Sequence, residues 1–214
     1  MDLESEAGIA AVLAGYAAAG AEWIARSDGL SSDEIYQPVA DLMPVHAARI
    51  LDLGAATGRD AAWLVRKGHG VTAVEPVAEL KQAGQRLHPE AGIDWVDDRL
   101  PMLERMGPKV FDCVLANGVL HHLNAVAQER AVARMAGLLA RGGLLIAALR
   151  HGAGPKDRPV WPVDVAALVA VAQASGLDLT RLVETGSIQP QNQDLGVTWT
   201  WLALRRAAPQ VRHL

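Results

Sequence analysis

Arg49-Ile-Leu-Asp-Leu-Gly-Ala-Ala-Thr-Gly-Arg-Asp60 reads as a strand, a tight turn and the start of a helix. Ile50 to Leu53 can form a buried strand, Gly54 to Gly58 supplies the turn, and Ala61 to Val65 continues with helical apolar spacing. In an open parallel sheet such a turn lies at the carboxyl end of a strand, where the next helix aims its free N–H groups and positive dipole end at a ligand. A second run, Val71 to Val74, closes on Glu75, about twenty residues beyond Gly54. An acid at that spacing sits at the tip of the second strand and can accept hydrogen bonds from both hydroxyls of a ribose. Turn, helix, strand and terminal acid together predict a nucleoside-binding half-domain.

Around this pair, the 214 residues are enough for one domain with a full core and few for two. Half of them are apolar and 21% are charged, as in a soluble globular protein. The formal net charge of −4 and the absence of a block of consecutive basic residues count against a nucleic-acid-tracking surface, leaving Arg141, Arg150, Lys156 and Arg158 as a local basic group. The single cysteine, Cys113, lies within the apolar run Phe111 to Ala116, which excludes a disulfide framework and points to a buried, inert thiol. The opening Met-Asp-Leu-Glu-Ser-Glu is acidic where a signal peptide is basic, and no apolar run reaches membrane-spanning length. The expectation is a cytoplasmic protein without membrane contact.

Residues 6 to 26 carry helical periodicity, with Tyr16 and Trp23 among the large apolar positions, and Ser31-Ser-Asp-Glu34 begins a second helix through Leu42. The segment 1–44 reads either as extra cover or as a lid, in one domain with a core over 45–206, and 207–214 reads as a frayed tail. A helix from Val77 to about Leu87 and a strand at Ile93 to Val96 follow, the strand leading into Asp97-Asp98. Phe111 to Ala116 is a fourth strand ending at Asn117-Gly118, and the next helix spans Ala125 to Leu139 and stops at Arg141-Gly142-Gly143. Leu144 to Leu149 is a fifth strand, Arg150 to Pro162 has no periodicity, and Val163 to Ala174 is helical. Leu179 to Val183 and Val197 to Leu204, joined by a polar loop, should pair antiparallel, since a parallel pairing needs a crossover. Strands this apolar demand helices on both faces, so the fold class is α/β, a Rossmann-like doubly wound sheet with its strand-end loops on one rim.

Two ligands compete for such a rim, a dinucleotide and S-adenosylmethionine. A pyrophosphate requires bare backbone at the middle of Gly-x-Gly-x-x-Gly, whereas here the spacing is Gly54, Ala56, Gly58. Asp52, two residues before Gly54, would oppose a pyrophosphate but suits an ammonium. The methionine end of S-adenosylmethionine carries one.

Asp52-Leu-Gly-Ala-Ala-Thr-Gly-Arg-Asp60 resembles the first motif of the class I S-adenosylmethionine-dependent methyltransferases. Ala73-Val-Glu-Pro76 resembles their second motif, Asp97-Asp98-Arg-Leu-Pro101 their adenine-side motif, and Phe111 to His122 their fourth, while Leu138 to Ile146 looks like the approach to their fifth strand. Ala56 departs from the usual middle glycine. The resemblance covers residues 45 to 205 and implies seven strands in the order 3-2-1-4-5-7-6 with strand 7 antiparallel. It also implies that Glu75 binds the ribose hydroxyls with Pro76 flanking them. Asp98, or Asp97 as the alternate, would accept from the adenine amino group with Arg99 beside it. Backbone at Gly54, Ala55, Ala56 and Gly58 would line the methionine portion, and Asn117 would close that side. Arg59 reads equally as a partner for the ligand carboxylate and as a surface arginine of the first helical turn.

Methyl transfer by displacement at a sulfonium requires alignment and, for some acceptors, a base. Candidates for the base are His122, His121 and His151, which follow the fourth and fifth strands. One of the adjacent pair could instead brace the following helix, and no metal set has ligand spacing. After the fourth strand Asn117-Gly-Val-Leu120 replaces the Asn/Asp-Pro-Pro-aromatic pattern of nucleic-acid base methylation, which favours a small-molecule acceptor. Two other readings stay open: a catalytically silent protein of this fold serving as a partner, and a nicotinamide-dependent reductase.

Overall fold

Ile50 to Leu53 are buried in β1 (Arg49–Leu53) whichever face they point to, because helices cover both sides of the strand. The computed structural model describes residues 3–208. Ahead of β1 come α1 (Leu3–Ala17), α2 (Ala21–Asp28) and α3 (Ser32–Ile35). β2 (Gly70–Val74) and β3 (Asp94–Val96) lie parallel on one side of β1, and β4 (Phe111–Asn117) and β5 (Leu139–His151) lie parallel on the other. β7 (Thr198–Arg206) runs antiparallel between β5 and the edge strand β6 (Leu177–Gly186). The order is β3-β2-β1-β4-β5-β7-β6, as expected, with the terminal pair antiparallel.

The strands' period of two divides the core. Leu51, Leu53, Val114, Ala116, Leu145 and Ala147 meet α6 (Ala125–Gly137) and α7 (Val165–Ala174) on one face. Ile50, Cys113, Leu115 and Ile146 meet α4 (Arg59–Arg66), Tyr36 and Val39 on the other, while α5 (Ala78–Leu87) links β2 to β3. Cys113 is fully buried, and burial pushes its thiol up to about 12, so it is inert.

Several boundaries differ from the sequence reading. The expected helix over residues 6–26 breaks after Ala17, and its halves meet at 91° before Gly20 caps α2. Ser31 does accept the Glu34 N–H, at 3.3 Å, but Pro38 cannot donate, so α3 gives way to a 3₁₀ stretch at Gln37–Leu42. α6 ends at Gly137 rather than Leu139. The next residues already pair with β4, Phe111 opposite Leu139, and a bulge with Gly142 at φ +75° absorbs the surplus before Cys113 meets Leu144. The polar loop between β6 and β7 holds a short helix, α8 (Pro190–Asp194). Residues 207 and 208 carry no regular structure, and the rest of the expected tail lies outside the described residues.

The long segment after β5 packs on α1. Gly8 and Gly15, two turns apart on one helix face, permit this close approach. A Cβ at Gly8 would come within 2.5 Å of the Trp161 ring, and one at Gly15 would overlap the Asp157 carbonyl. α1 also touches α5 and the 3₁₀ turn Leu120–His122 that follows β4. Residues of α1, α2 and this segment thereby form a roof above the carboxyl ends of the strands.

Candidate active site

The turn after β1 is held from β2. Gly54 takes φ +68°, and the N–H groups of Gly54 and Ala55 both donate to the Val74 carbonyl, at 2.9 and 3.0 Å. Glu75, at the end of β2, accepts from Ala56 N–H through Oε2 and from Val77 N–H through Oε1, each at 2.8 Å. Ala56 sits at φ +50°, a left-handed conformation costly for an L-residue. Burial pushes the Glu75 carboxyl up to about 7 despite its two donors.

Asp52 is buried, and its Oδ2 has no hydrogen-bond partner among the described residues. Burial first, then the neighbouring Asp60 charge, raises its carboxyl to about 8. Asp60 has the opposite fate. It accepts from Ser32 Oγ at 2.7 Å, Tyr36 Oη at 3.2 Å, Asn117 Nδ2 at 3.2 Å, and Arg59 Nε and Nη2 at 2.7 and 2.8 Å. Burial alone would raise its carboxyl, but the Arg59 charge and these donors hold it below the ordinary value. Arg59 Nη1 reaches the Ser27 carbonyl at 2.8 Å, which ties the first turn of α4 to α2.

At the end of β3 the paired acids separate. Asp98 turns inward and caps the next turn by accepting from Arg99 N–H and Arg105 N–H at 2.8 and 2.7 Å. Asp97 is exposed and lies 3.6 Å from Arg105. Arg99 reaches Glu6 of α1 at 3.0 Å, a partly exposed contact.

Beyond β4 the two histidines diverge as well. His122 Nδ1 lies 3.0 Å from the Pro159 carbonyl, an obligate acceptor, so Nδ1 carries the proton. His122 Nε2 is then an acceptor, and the Tyr16 hydroxyl donates to it at 3.0 Å. Burial lowers the His122 pKa. His121 is buried with Nδ1 unpartnered, and burial, then His122, depresses its pKa further. His151 is the last residue of β5, and its Nε2 meets Thr200 Oγ1 of β7 at 2.8 Å.

Most of these groups, though not Asp97 or His151, surround one cavity of about 670 Å³ beneath the roof. Its wall runs from Asp98, Glu75 and Asp52 at the ends of β3, β2 and β1, past Asn117 and His122, to Tyr16, Trp23 and Arg158. A strand-end crevice of this size is where open α/β sheets bind small ligands.

Comparison with known proteins agrees with this geometry. Residues 51–147 match a family described as a methyltransferase domain. The chain is 31% identical over 183 residues to a ubiquinone biosynthesis O-methyltransferase of Methylocella silvestris, covering 74% of this chain and 68% of the relative. The chain belongs to the class I S-adenosylmethionine-dependent methyltransferases. An uncharacterised methyltransferase of Mycobacterium tuberculosis is 32% identical over 111 residues, covering 51% of this chain and 55% of its own. Among solved structures, a 1,6-didemethyltoxoflavin-N1-methyltransferase of Burkholderia thailandensis superposes with TM-score 0.70 at 22% identity, covering 97% of this chain and 91% of its own. Magnesium protoporphyrin IX methyltransferase of Synechocystis does so with TM-score 0.73 at 14% identity, covering 94% and 100%. At these identities the likeness is one of fold. Both hold S-adenosylhomocysteine, the spent form of the methyl donor this family uses.

In the methyltransferase, Asp52, Gly54, Ala55, Ala56, Arg59, Glu75, Pro76, Asp98, Arg99, Asn117, His121 and His122 all line the cavity, while Gly58, Asp97 and His151 do not. Gly58 caps α4 and lies against Trp95, leaving no room for a Cβ. β5 runs two residues past the expected Leu149, so His151 stays within the sheet instead of reaching over its edge. The sequence reading placed Arg158 only in a local basic group and quoted Asp60 in the first motif, giving neither a role in the site. An acid in the first helical turn directly after Gly58-Arg59 was the available signal for Asp60, and no local signal marks Arg158.

Proposed function

We propose that this methyltransferase transfers its methyl group to a small-molecule acceptor held between the cofactor and the roof. One observation carries the reading: a single roofed cavity joins the strand-end carboxylates to the Tyr16–His122 pair. The residues fit the cofactor. The unpartnered Asp52 oxygen suits an ammonium, the outward lone pairs of Glu75 suit two ribose hydroxyls, and Asp98 with Pro76 borders the adenine side. Arg59, with Nε and one hydrogen each of Nη1 and Nη2 engaged, keeps two N–H bonds for a ligand carboxylate. S-adenosylmethionine would supply an electrophilic methyl on sulfur, which would pass to the acceptor nucleophile as the carbon–sulfur bond breaks and the neutral thioether, S-adenosylhomocysteine, leaves.

The chain's own part is to align the acceptor and to take its proton where it has one. Tyr16 donates to His122 Nε2, so the lone pairs of its oxygen remain available to the cavity. A hydroxyl acceptor passes its proton to the Tyr16 oxygen as Tyr16 gives its own to His122, and the Pro159 carbonyl steadies the imidazolium through Nδ1. His122 therefore acts through Tyr16 and does not touch the acceptor.

Calorimetric titration with S-adenosylmethionine and S-adenosylhomocysteine, with NAD as control, tests the cofactor half. Micromolar affinity lost on Glu75→Ala is expected. A mass-spectrometric screen of small acceptors for the gain of one methyl group tests the rest. Folded, cofactor-free protein that binds neither ligand would overturn the reading.

A further inference from the structure

Charge is unevenly distributed around the cavity. Asp52, Glu75 and Asp98 stand at the ends of β1, β2 and β3, on one side of the sheet's midline. The arginines Arg150 and Arg158 stand on the other side, at the end of β5 and in the segment after it, beneath α1. On the acidic side the lining arginines Arg59 and Arg99 are paired with Asp60 and Glu6, so that half suits the cationic methyl donor and leaves the basic half facing whatever binds next to it.

The two arginines are not equivalent. Arg150 is engaged with the carbonyls of Gly152 and Ala153, at 2.9 and 2.6 Å. The Arg158 guanidinium makes no hydrogen bond among the described residues, although the backbone N–H of Arg158 donates to the Pro155 carbonyl at 3.2 Å. Its Nε is buried without a partner, and its side chain is only 14% exposed. The nearest carboxylate is that of Asp157, 3.6 Å from Nε and itself 59% exposed, beyond hydrogen-bond range. The guanidinium lies over the Tyr16 ring at 4.9 Å and near the Trp23 ring at 5.8 Å. Aromatic faces stabilise the cation but take up none of its N–H donors. A desolvated guanidinium with open donors at a cavity wall is a receptor for a planar oxyanion, which it can grip with two parallel bonds.

We propose that Arg158 recognises the acceptor, and that the acceptor bears an oxyanion, a carboxylate or a phosphate. This deepens the function proposed above and rests on it. Tyr16 touches both halves of the arrangement, since its ring supports Arg158 while its hydroxyl faces His122. An acceptor anchored by its anion on Arg158 therefore lies beside the proton path.

The test uses the full chain loaded with S-adenosylhomocysteine and a fragment panel of matched sets. Each set comprises an aromatic carboxylate, its primary amide and the corresponding aryl phosphate, read by ligand-observed NMR. The expected result is at least tenfold tighter binding of one oxyanion class than of the amide, with the carboxylate and phosphate arms identifying the class. Arg158→Gln should abolish the preference and Arg158→Lys should keep part of it. Binding of S-adenosylhomocysteine should stay within about twofold in both variants, which also shows that they are folded. Equal binding of amides and oxyanions, a preference that survives Arg158→Gln, or no fragment binding to the loaded protein would each overturn the assignment. Failure of the unmodified chain to bind S-adenosylhomocysteine would instead strike at the methyl-transfer reading itself.

Discussion

Thr57 donates its hydroxyl hydrogen bond to Asp28 across 2.9 Å, joining the turn after β1 to the last residue of α2. Asp28 Oδ1 also meets His88 Nε2, at the end of α5, at 2.9 Å. Both partners are largely buried, so removing the carboxylate leaves two polar groups without company. Asp28→Ala is expected to cost about 1–3 kcal/mol of stability and to weaken cofactor binding several-fold by loosening the turn. Chemical denaturation and calorimetry on the same preparation check both effects; unchanged affinity would mean that α2 does not support the turn.

Asp52 makes cofactor binding pH-dependent. Its carboxyl, raised to about 8, is mostly protonated at pH 6 in the free protein, yet a cationic ligand needs it ionised. Binding therefore expels a proton, and affinity rises with pH between 6 and 8 by at most about tenfold per unit for that proton. Glu75, at about 7, adds to the same slope. Titrations in buffers of different ionisation enthalpy report the released protons, and Asp52→Asn should flatten the profile. A flat profile in the unmodified protein would remove Asp52 from the ammonium site.

Ala56→Gly should stabilise the free protein. Left-handed backbone costs an alanine about 1–2 kcal/mol, and glycine's greater freedom in the unfolded chain returns about 0.4–1 of that. The expected net gain is about 0–1.6 kcal/mol, at roughly 2–4 °C in Tm per kcal/mol for a chain of this size. A lower Tm would show that the alanine methyl makes a contact worth more than the strain.

Gly15→Ala reverses a familiar rule. In an exposed helix the change is favourable by about 1 kcal/mol, but here the new methyl overlaps the Asp157 backbone. A loss of about 1–3 kcal/mol is expected, together with a higher KM for the acceptor and little change in cofactor affinity, because the roof lifts on the acceptor side. A gain in stability would show that α1 and residues 157–161 are not in contact.

Tyr16→Phe removes the hydroxyl between acceptor and His122. For a hydroxyl acceptor kcat should fall by about 10²–10⁴ while cofactor binding is kept. Because burial lowers the His122 pKa, the acid limb of the rate profile should lie below the ordinary histidine value. An acid limb at or above 6.5 would exclude His122 as the final proton acceptor.

The strand order, the helix positions and the cofactor turn were legible because each is written in neighbouring residues. Glu75 follows its own strand, and Gly54 is read from the strand before it and the helix after it. The terminal hairpin followed from a polar link without helical periodicity, where a parallel pairing would need a crossover. Side-chain partnerships were hidden where they span the chain: Tyr16 and His122 are 106 residues apart, and nothing local marks either as the other's partner. Asp97 and Asp98 are alike in sequence, and only the backbone path after β3 sends one inward to cap Arg105. Arg59 presents a related lesson, since its strongest partner is the adjacent Asp60, which was quoted in the first motif but given no role. His151 lies off the cavity lining because the C-terminal end of β5 runs two residues beyond the expected Leu149.

The glycine face of α1 has a consequence for synthesis. Residues 8–15 leave the ribosome long before residues 157–161, against which they pack. With roughly 140 residues between them and translation at about 5–20 residues per second, α1 waits on the order of ten seconds for its partner. Throughout that interval Ile9 and Val12, both buried in the finished protein, are without the later half of their surroundings. The nascent chain therefore carries an incompletely covered apolar face on its first helix through much of its synthesis.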